Sequence, residues 1–224
     1  MMDSDTIRQL IISVPALVFA ITCHEVSHGY VANRLGDPTA RLMGRLTLNP
    51  IKHIDPVGTI ILPLILTAMG GVIFGYAKPV PINPLNFRDP KKHMAISAAA
   101  GPITNISLAI LSSLIIFLVI VPLMNLLQSN SANAILVPLY SMFKFSIQIN
   151  LFLAALNLMP VLPLDGGRVL VGLLPHKQAN AYSKLEPYGL IIFFGLIFTG
   201  IAKYFIIPIY LLLTIIVPFY DRIF

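Results

Sequence analysis

Long apolar runs, separated by short polar segments, dominate the pattern along the chain. Five of them are long enough to cross or enter a lipid bilayer, since a membrane-spanning helix needs about 20 mostly apolar residues. They cover residues 7–32, 54–74, 94–127, 135–159 and 188–219. The last run carries Lys203 and Pro208 near its middle, so it predicts either one tilted helix or a tight pair of short helices. The whole pattern predicts an all-α polytopic membrane protein with five or six transmembrane helices.

The second run, residues 54–74, is a poor candidate for a continuous helix, because it contains Pro63, Gly70 and Gly71. Irregular backbone at membrane depth is tolerated where it lines protein or a cavity. If this run is re-entrant, the basic clusters before and after it lie on one side of the membrane, and the positive-inside rule makes that side cytoplasmic. We therefore expect a re-entrant segment here and an amino terminus on the outer side.

Composition excludes several classes of protein. Of the 224 residues, 57% are hydrophobic and 11% are charged, whereas a soluble domain carries about 25% charged residues. A water-soluble enzyme is therefore excluded. Cys23 is the only cysteine, which excludes a disulfide-stabilised secreted scaffold. The formal net charge of +6 comes mostly from Lys and Arg that flank the apolar runs. That placement indicates orientation in a bilayer, so we expect no nucleic-acid partner.

A glutamate lies inside the first apolar run, between two histidines. Placing a charged residue at the bilayer centre costs at least about 2.5–3.5 kcal/mol, so such a residue is functional by default. The sequence from His24 to His28 has the form His-Glu-x-x-His. This spacing puts both imidazoles on one helix face, where they can bind one metal ion, and Glu25 lies beside them to act on water. The alternative is that the three residues pair with one another inside a polar bundle interior.

A hydrolytic zinc site needs a third protein ligand and one open position for water. Val31 and Arg34 stand where the metzincin extension needs glycine and histidine, so that extension is absent. The other candidates lie in loops or beyond the fourth run, and they are His53, His93, His176 and Glu186. We expect the three histidines to be solvated. We expect His53 and Asp55 to form an interfacial turn, although support of the metal site is the alternative.

Asp165 is the remaining candidate ligand. Two prolines end the fourth predicted helix before Asp165. Two glycines follow it, and they allow the backbone to come close to neighbouring elements. It could instead cap a short helix over residues 166–174, and the local pattern leaves both roles open. Charge favours the ligand, because Zn²⁺ with two neutral histidines and ionised Asp165 and Glu25 sums to zero. A low-dielectric site tolerates such a neutral cluster.

These residues and two further motifs resemble the site-2 protease family of intramembrane zinc metalloproteases, peptidase family M50. The matching motifs are His24 to His28 in the first run, residues 101–105 in the third and residues 157–167 in the fourth. The resemblance implies one zinc ion per chain with the ligands His24, His28 and Asp165. It further implies that Glu25 is the general base and that Asn157 is a polar group facing the substrate. Asn105 matches the asparagine of the family's Gly-Pro segment, with a less defined role.

The resemblance also implies an organisation and a location. We expect a single membrane-embedded metalloprotease domain over residues 1–224, with a catalytic core at about 7–175 and a C-terminal membrane segment at about 188–219. We expect a minimal form, without the PDZ and CBS domains of many members. Residues 44–50 resemble the family region that forms membrane-embedded β-structure beside the active site. The implied location is the cell membrane, with the active site towards the cytoplasmic side.

The function implied is regulated intramembrane proteolysis, in which zinc-activated water hydrolyses peptide bonds within or near transmembrane segments. The implied partners are the lipid bilayer and a membrane-protein substrate with a single transmembrane segment. Two other functions fit the composition: a metal-ion transporter and a metal-binding membrane scaffold without proteolysis. Transit sites recur along a path, whereas the intramembrane ionisable groups here cluster in one place. A scaffold has no need of Glu25, so the protease is the favoured interpretation.

Overall fold

The computed structural model describes residues 4–61 and 77–224. Within these ranges every regular element is a helix and no β-strand is present. Four helical stretches are long and apolar enough to cross a membrane, namely Ile7–Arg34, Pro90–Leu127, Asn130–Asn157 and His176–Phe198. Lys203–Ile216 is a shorter apolar helix. The protein is therefore a multi-pass, helical membrane protein.

The α-helices are numbered here in chain order. They are α1 Ser4–Arg34, α2 Thr39–Leu42, α3 Pro90–Ile115, α4 Val121–Leu127, α5 Asn130–Asn157, α6 Asp165–Leu173, α7 His176–Ser183, α8 Gly189–Phe198, α9 Lys203–Ile216 and α10 Tyr220–Ile223. Tighter turns are found at Pro50–His53, Pro84–Asn86 and Glu186–Tyr188. The wider π-helical turns are Pro56–Ile61 and Ile116–Ile120. The second of these joins α3 to α4, so the two helices form one span.

Local sequence explains where the central helices begin. Asp89 accepts a hydrogen bond from the backbone N of Lys92 at 3.1 Å, and Pro90 follows at the first helical position of α3. Ser129 caps α5 in the same way through the backbone N of Ala132, at 3.1 Å. Caps of this kind satisfy backbone donors that the first helical turn leaves unpaired.

Helix α3 is the centre of the bundle, because it packs against α1, α5 and α6. Small buried residues along it, including Ala98, Gly101 and Ala109, allow the neighbouring backbones to come close, as is typical of membrane helices. Towards its C-terminal end the packing is mostly apolar, with Ile116 and Ile147 fully buried, and the buried Ser112 and Ser113 are the polar exceptions. The polar half of α3 thus lies in the same part of the bundle as the histidines of α1.

The predicted spans agree with the helices in most of the chain. The first, third and fourth runs correspond to α1, to α3 with α4, and to α5. The last run is two short helices rather than one tilted helix, because Gly200 adopts a left-handed conformation (φ +73°) between α8 and α9. Residues 62–76 lie outside the described part of the chain, and the predicted re-entrant segment falls largely on them. The described residues supply four candidate spans and the shorter apolar helix Lys203–Ile216, so the count of five or six stays a prediction.

The prediction of β-structure at residues 44–50 is wrong for the part of the chain that the structure describes. Residues 45–49 have no regular secondary structure, and a short 3-10 turn follows at Pro50–His53. The Arg45 side chain, not its backbone, binds the neighbouring segment through the carbonyl oxygens of residues 78 and 79. That segment contains Pro79 and Pro81, which lack the N–H groups that a strand ladder requires.

Asp37 fastens the loop after α1 to residues 83–86. Its buried carboxylate accepts hydrogen bonds from the Asn83 backbone N at 2.7 Å, the Asn86 Nδ2 at 2.7 Å and the Thr39 Oγ1 at 2.5 Å. Burial alone would raise the pKa of Asp37, but these hydrogen bonds hold it below the ordinary value of 3.8. The stabilisation is therefore complete above that value and is lost as the pH falls through the lower folded pKa.

Replacing Asp37 by Ala should lower the free energy of unfolding by about 1–3 kcal/mol, because the substitution leaves buried donors without an acceptor. The measurement is thermal or denaturant unfolding in detergent at neutral pH. Asp221→Ala is the matched control, since Asp221 is exposed and its loss should change stability by no more than about 0.5 kcal/mol. Equal stability of the two variants would contradict the anchoring role of Asp37.

Candidate metal centre and active-site cavity

The structure brings together two histidines of α1 and the first residue of α6. The Nε2 atoms of His24 and His28 lie 3.1 Å apart, and they lie 3.1 and 3.3 Å from the Oδ2 of Asp165. All three side chains are buried. They form the one group of potential metal-ligating residues found in the described ranges of the chain.

The spacing of these donor atoms fits a zinc ion. With bonds of about 2.0–2.1 Å in tetrahedral geometry, two ligand atoms of zinc lie about 3.3–3.4 Å apart. The observed separations of 3.1–3.3 Å are close to that value. The buried Oδ2 of Asp165 also has no hydrogen-bond donor among the described residues. Asp165 is the first residue of α6 and Leu164 occupies the cap position, so Asp165 does not cap the helix. Its carboxylate is therefore available to a metal.

The hydrogen bonds behind the histidines fix their tautomers. The Nδ1 of His28 lies 2.7 Å from the backbone O of Ser97, which can only accept, so Nδ1 carries the proton. For His24 the partner of Nδ1 is the Oδ1 of Asn105, at 2.5 Å. The Nδ2 of Asn105 donates to the Oδ1 of Asn150 at 2.8 Å, and the Nδ2 of Asn150 donates to the backbone O of Ser146 at 2.8 Å.

Both Nε2 atoms therefore present lone pairs, because each imidazole donates through Nδ1. Together with the carboxylate of Asp165, three electron-rich atoms face one another in a buried place. Such an arrangement is unfavourable unless a cation lies between them. Histidine ligands of metals usually donate their second nitrogen to a carbonyl or carboxylate in this way. The donor set thus fits zinc.

Glycines allow the three elements to come so close. A Cβ atom on Gly101 of α3 would lie 2.5 Å from the Cε1 atoms of both His24 and His28. On α6, a Cβ atom on Gly166 would collide with the backbone oxygens of Leu158 and Met159. Gly101 therefore lets α3 pack directly on the imidazoles, and Gly166 seats α6 against the turn that follows α5.

A cavity of about 500 Å³ opens beside the candidate metal centre. Its polar lining comprises His24, Glu25, His28, Asn157, Asp165 and Arg168. Much of the remaining wall is apolar and includes Leu190, Phe193 and Phe194 of α8. The Oε2 of Glu25 accepts a hydrogen bond from the backbone N of Val80 at 2.9 Å. An apolar pocket with a few convergent polar groups is typical of a substrate site.

Asn157 lines the cavity at the end of α5, where its Nδ2 donates to the backbone O of Leu153 at 3.0 Å. Asn105 is fully buried and contacts His24 instead of the cavity. The expectation of a solvated His53 is wrong, because this residue is buried and its Nε2 donates to the backbone O of Thr47 at 2.8 Å. His93 is half-buried against Phe87, and His176 is exposed.

The sequence reasoning missed Ser97 and Asn150. Ser97 bonds His28 twice, because its backbone O accepts from Nδ1 and its Oγ donates to the His28 backbone O at 2.9 Å. The signal was present in the spacing, since Ser97, Gly101 and Asn105 recur every four residues and so share one face of α3. Asn150 is a polar residue inside an apolar run, which is itself a functional signal.

A bundle of membrane-spanning helices around a buried His-His-Asp group, with a glutamate beside it, has the features of a membrane-bound zinc metalloprotease. The model of Peptidase family M50 matches residues 12–200. The chain therefore belongs to peptidase family M50 and is a zinc metalloprotease.

Curated relatives carry names that agree with this family. The Bacillus subtilis protein named "Putative zinc metalloprotease YwhC" is 39% identical over 195 residues, which cover 87% of this chain and 84% of that one. The Mycolicibacterium smegmatis protein named "Putative zinc metalloprotease Rip2" is 28% identical over 205 residues, or 88% of this chain and 72% of that one. No solved structure matches the chain.

The chain of amides behind His24 should control metal affinity. Replacing Asn150 by Leu removes the acceptor that orients Asn105, so zinc affinity should fall by about 10–100-fold. The measurement is competition with a chromophoric chelator in detergent. Ser112→Ala is the control, because Ser112 lies at the far end of the same network, where its Oγ bonds the Oγ of Ser146 at 2.9 Å and no other side chain in the described ranges. An Asn150→Leu variant with wild-type affinity would contradict this role.

Proposed function

We propose that the protein is a site-2 protease-like enzyme that hydrolyses peptide bonds within or near the transmembrane segment of single-span membrane proteins. The observation that supports this most directly is the position of the His24–His28–Asp165 group. It is buried among membrane-spanning helices, at a cavity whose wall is largely apolar. Side chains of a transmembrane substrate would find favourable contacts on such a wall.

One zinc ion per chain would be held by His24, His28 and Asp165. When bound, zinc lowers the pKa of a water molecule towards neutrality and polarises the substrate carbonyl as a Lewis acid. The two neutral imidazoles and the carboxylate leave one positive charge on the centre, and ionised Glu25 balances it. The resulting neutral cluster suits a site from which bulk water is largely excluded.

Glu25 would act as the general base. A carboxylate in this position accepts the proton of the attacking water and then delivers it to the nitrogen of the leaving amine, so the proton is conserved through the reaction. Glu25 lines the cavity and follows His24 directly, which supports this role. The carboxylate form of Glu25 is needed before water attacks, and the carboxylic acid form is needed to protonate the leaving amine.

Asn157 would hold the substrate backbone. Its Nδ2 already donates one hydrogen to the backbone O of Leu153, and the described residues supply no partner for the second hydrogen or for Oδ1. An extended substrate exposes both donors and acceptors along its backbone, so the amide can bind either. A helical substrate must unwind locally first, because its peptide groups are otherwise paired within the helix.

We further propose that one membrane-embedded domain lies with its amino terminus outside and its active site towards the cytoplasm. Basic residues support this orientation, since they cluster after α1, before α3 and around α6 and α7. These are Arg34, Arg41, Arg45, Lys52, Lys78, Arg88, Lys91, Lys92, Arg168, Lys177 and Lys184. An excess of Lys and Arg in short loops marks the cytoplasmic side.

The experiment compares zinc content and cleavage of a single-span test substrate in detergent. Glu25→Gln should retain about one zinc per chain and lose cleavage by at least about 100-fold, because the amide cannot accept the proton. Asp165→Asn should bind zinc more weakly, since a neutral amide replaces an anionic ligand. His176→Ala is the histidine control and should match the wild type in both measurements, because His176 is exposed.

Cleavage by the Glu25→Gln variant at the wild-type rate would overturn the assignment of the base. Full zinc affinity in Asp165→Asn would overturn the assignment of the third ligand. Zinc transport into sealed vesicles by the wild type, without cleavage of any single-span substrate, would support a transporter and contradict the proposed function.

A further inference from the structure

An extended segment of residues 78–83 forms part of the wall of the catalytic cavity. It has no regular secondary structure, and its residues Pro79, Val80 and Ile82 line the cavity. Val80 also packs on α1, because a Cβ atom on Gly29 would lie 2.6 Å from its Cγ1. Gly29 follows Glu25 by one helical turn, so Val80 lies directly beside the proposed base.

Two buried charged residues anchor this segment at its ends. At the start, the Nη2 of Arg45 donates to the backbone O of Lys78 at 2.8 Å, and the Lys78 backbone N donates to the backbone O of His53 at 2.8 Å. At the end, the backbone N of Asn83 donates to the Oδ2 of Asp37 at 2.7 Å. Arg45 is 7% exposed and Asp37 is 0% exposed, so both anchors are shielded from competing water.

Between the anchors, the backbone N–H of Val80 donates to the Oε2 of Glu25 at 2.9 Å. The residues on either side are Pro79 and Pro81, which have no N–H group. Of residues 79, 80 and 81, Val80 is therefore the one with a backbone N–H. A second hydrogen bond to the carboxylate of Glu25 is not found in the described part of the chain, so Oε1 is left for another partner.

We propose that the Val80 N–H is a positioning group for the catalytic base, and that Arg45 and Asp37 hold it in place. This proposal rests on the proposed function, because it assigns a role to the residues around Glu25. Fixing Oε2 leaves Oε1 to take the proton of the attacking water in one defined orientation. A glutamate has three rotatable side-chain bonds, and a base displaced by about 1 Å can lose about 100-fold in rate.

A positioning role predicts a specific kinetic effect. Losing the Val80 N–H should lower kcat, because the base is then found less often in its productive orientation. KM and zinc content should change little, since this N–H donates to Glu25 and not to His24, His28 or Asp165. A wall residue with only a packing role would give the opposite pattern, in which its loss raises KM or lowers the amount of folded, zinc-loaded protein.

The test compares Val80→Pro with Val80→Ala. Both variants shorten or reshape the side chain that packs on Gly29, but only Val80→Pro removes the N–H. We expect kcat of Val80→Pro to lie about 10–100-fold below that of Val80→Ala, with KM values within about threefold and equal zinc content per chain. Arg45→Met should reproduce part of the loss in kcat, and Arg45→Lys should restore part of it by donating to the Lys78 backbone O.

A spectroscopic measurement checks the same contact without turnover or metal. The chain contains only two glutamates, Glu25 and Glu186. Protein labelled with ¹³C at the glutamate carboxyl carbon should therefore give two carboxyl signals, and Glu25→Gln identifies that of Glu25. The Glu25 signal should move in Val80→Pro and stay near its wild-type position in Val80→Ala, while the Glu186 signal stays unchanged in both.

The proposal is overturned if Val80→Pro and Val80→Ala have the same kcat, if the loss falls on KM, or if the Glu25 carboxyl signal is the same in both variants. These outcomes differ from failure of the proposed function, which would appear in the wild type as absence of cleavage or in Glu25→Gln as retained cleavage. The carboxyl signal reports on the contact in either case.

Discussion

The arrangement of the bundle depends on one electrostatic constraint: three lone-pair-bearing atoms converge in a buried place, and no described residue supplies a hydrogen-bond donor between them. The Nε2 atoms of His24 and His28 and the Oδ2 of Asp165 repel one another unless a cation binds them. Gly101 lets α3 pack directly on the two imidazoles of α1, and Gly166 lets α6 begin against the backbone of Leu158 and Met159, because neither glycine has room for a side chain. The same few residues therefore determine the close packing of these helices and the arrangement of the candidate metal ligands.

The polar residues in the bundle interior are satisfied as one connected set. Asn105 and Asn150 pair with each other, and the pair ends on His24 at one side and on a backbone carbonyl at the other. A buried polar network is stabilising only when its members find partners, and here the orientation of each amide follows from the next. The network also decides that Nε2 of His24, and not Nδ1, faces His28 and Asp165. Membership in peptidase family M50 agrees with such a supported zinc site.

Much of the site could be predicted from sequence because its signals are local: the His-Glu-x-x-His spacing, an acidic residue in an apolar run, and an aspartate between prolines and glycines. Ser97, Asn150 and the Val80 N–H were missed because their roles depend on contacts between elements distant in sequence. The prediction of β-structure at residues 44–50 was wrong for a related reason. Arg45 binds the neighbouring segment through its side chain, and two prolines remove the donors for a ladder. Long-range backbone pairing leaves little trace in a local pattern.

The proposed zinc site has two imidazole ligands and one carboxylate ligand. X-ray absorption spectroscopy at the zinc edge of the purified, zinc-loaded protein would identify these ligands. We expect a first coordination sphere made only of nitrogen and oxygen at about 2.0–2.1 Å, with the multiple-scattering pattern of two imidazole rings. In a double variant with His24→Ala and His28→Ala, the multiple-scattering signal of the imidazole rings should disappear. A sulfur neighbour at about 2.3 Å, which would implicate Cys23, or a spectrum unchanged in the double variant would overturn the proposed ligand set.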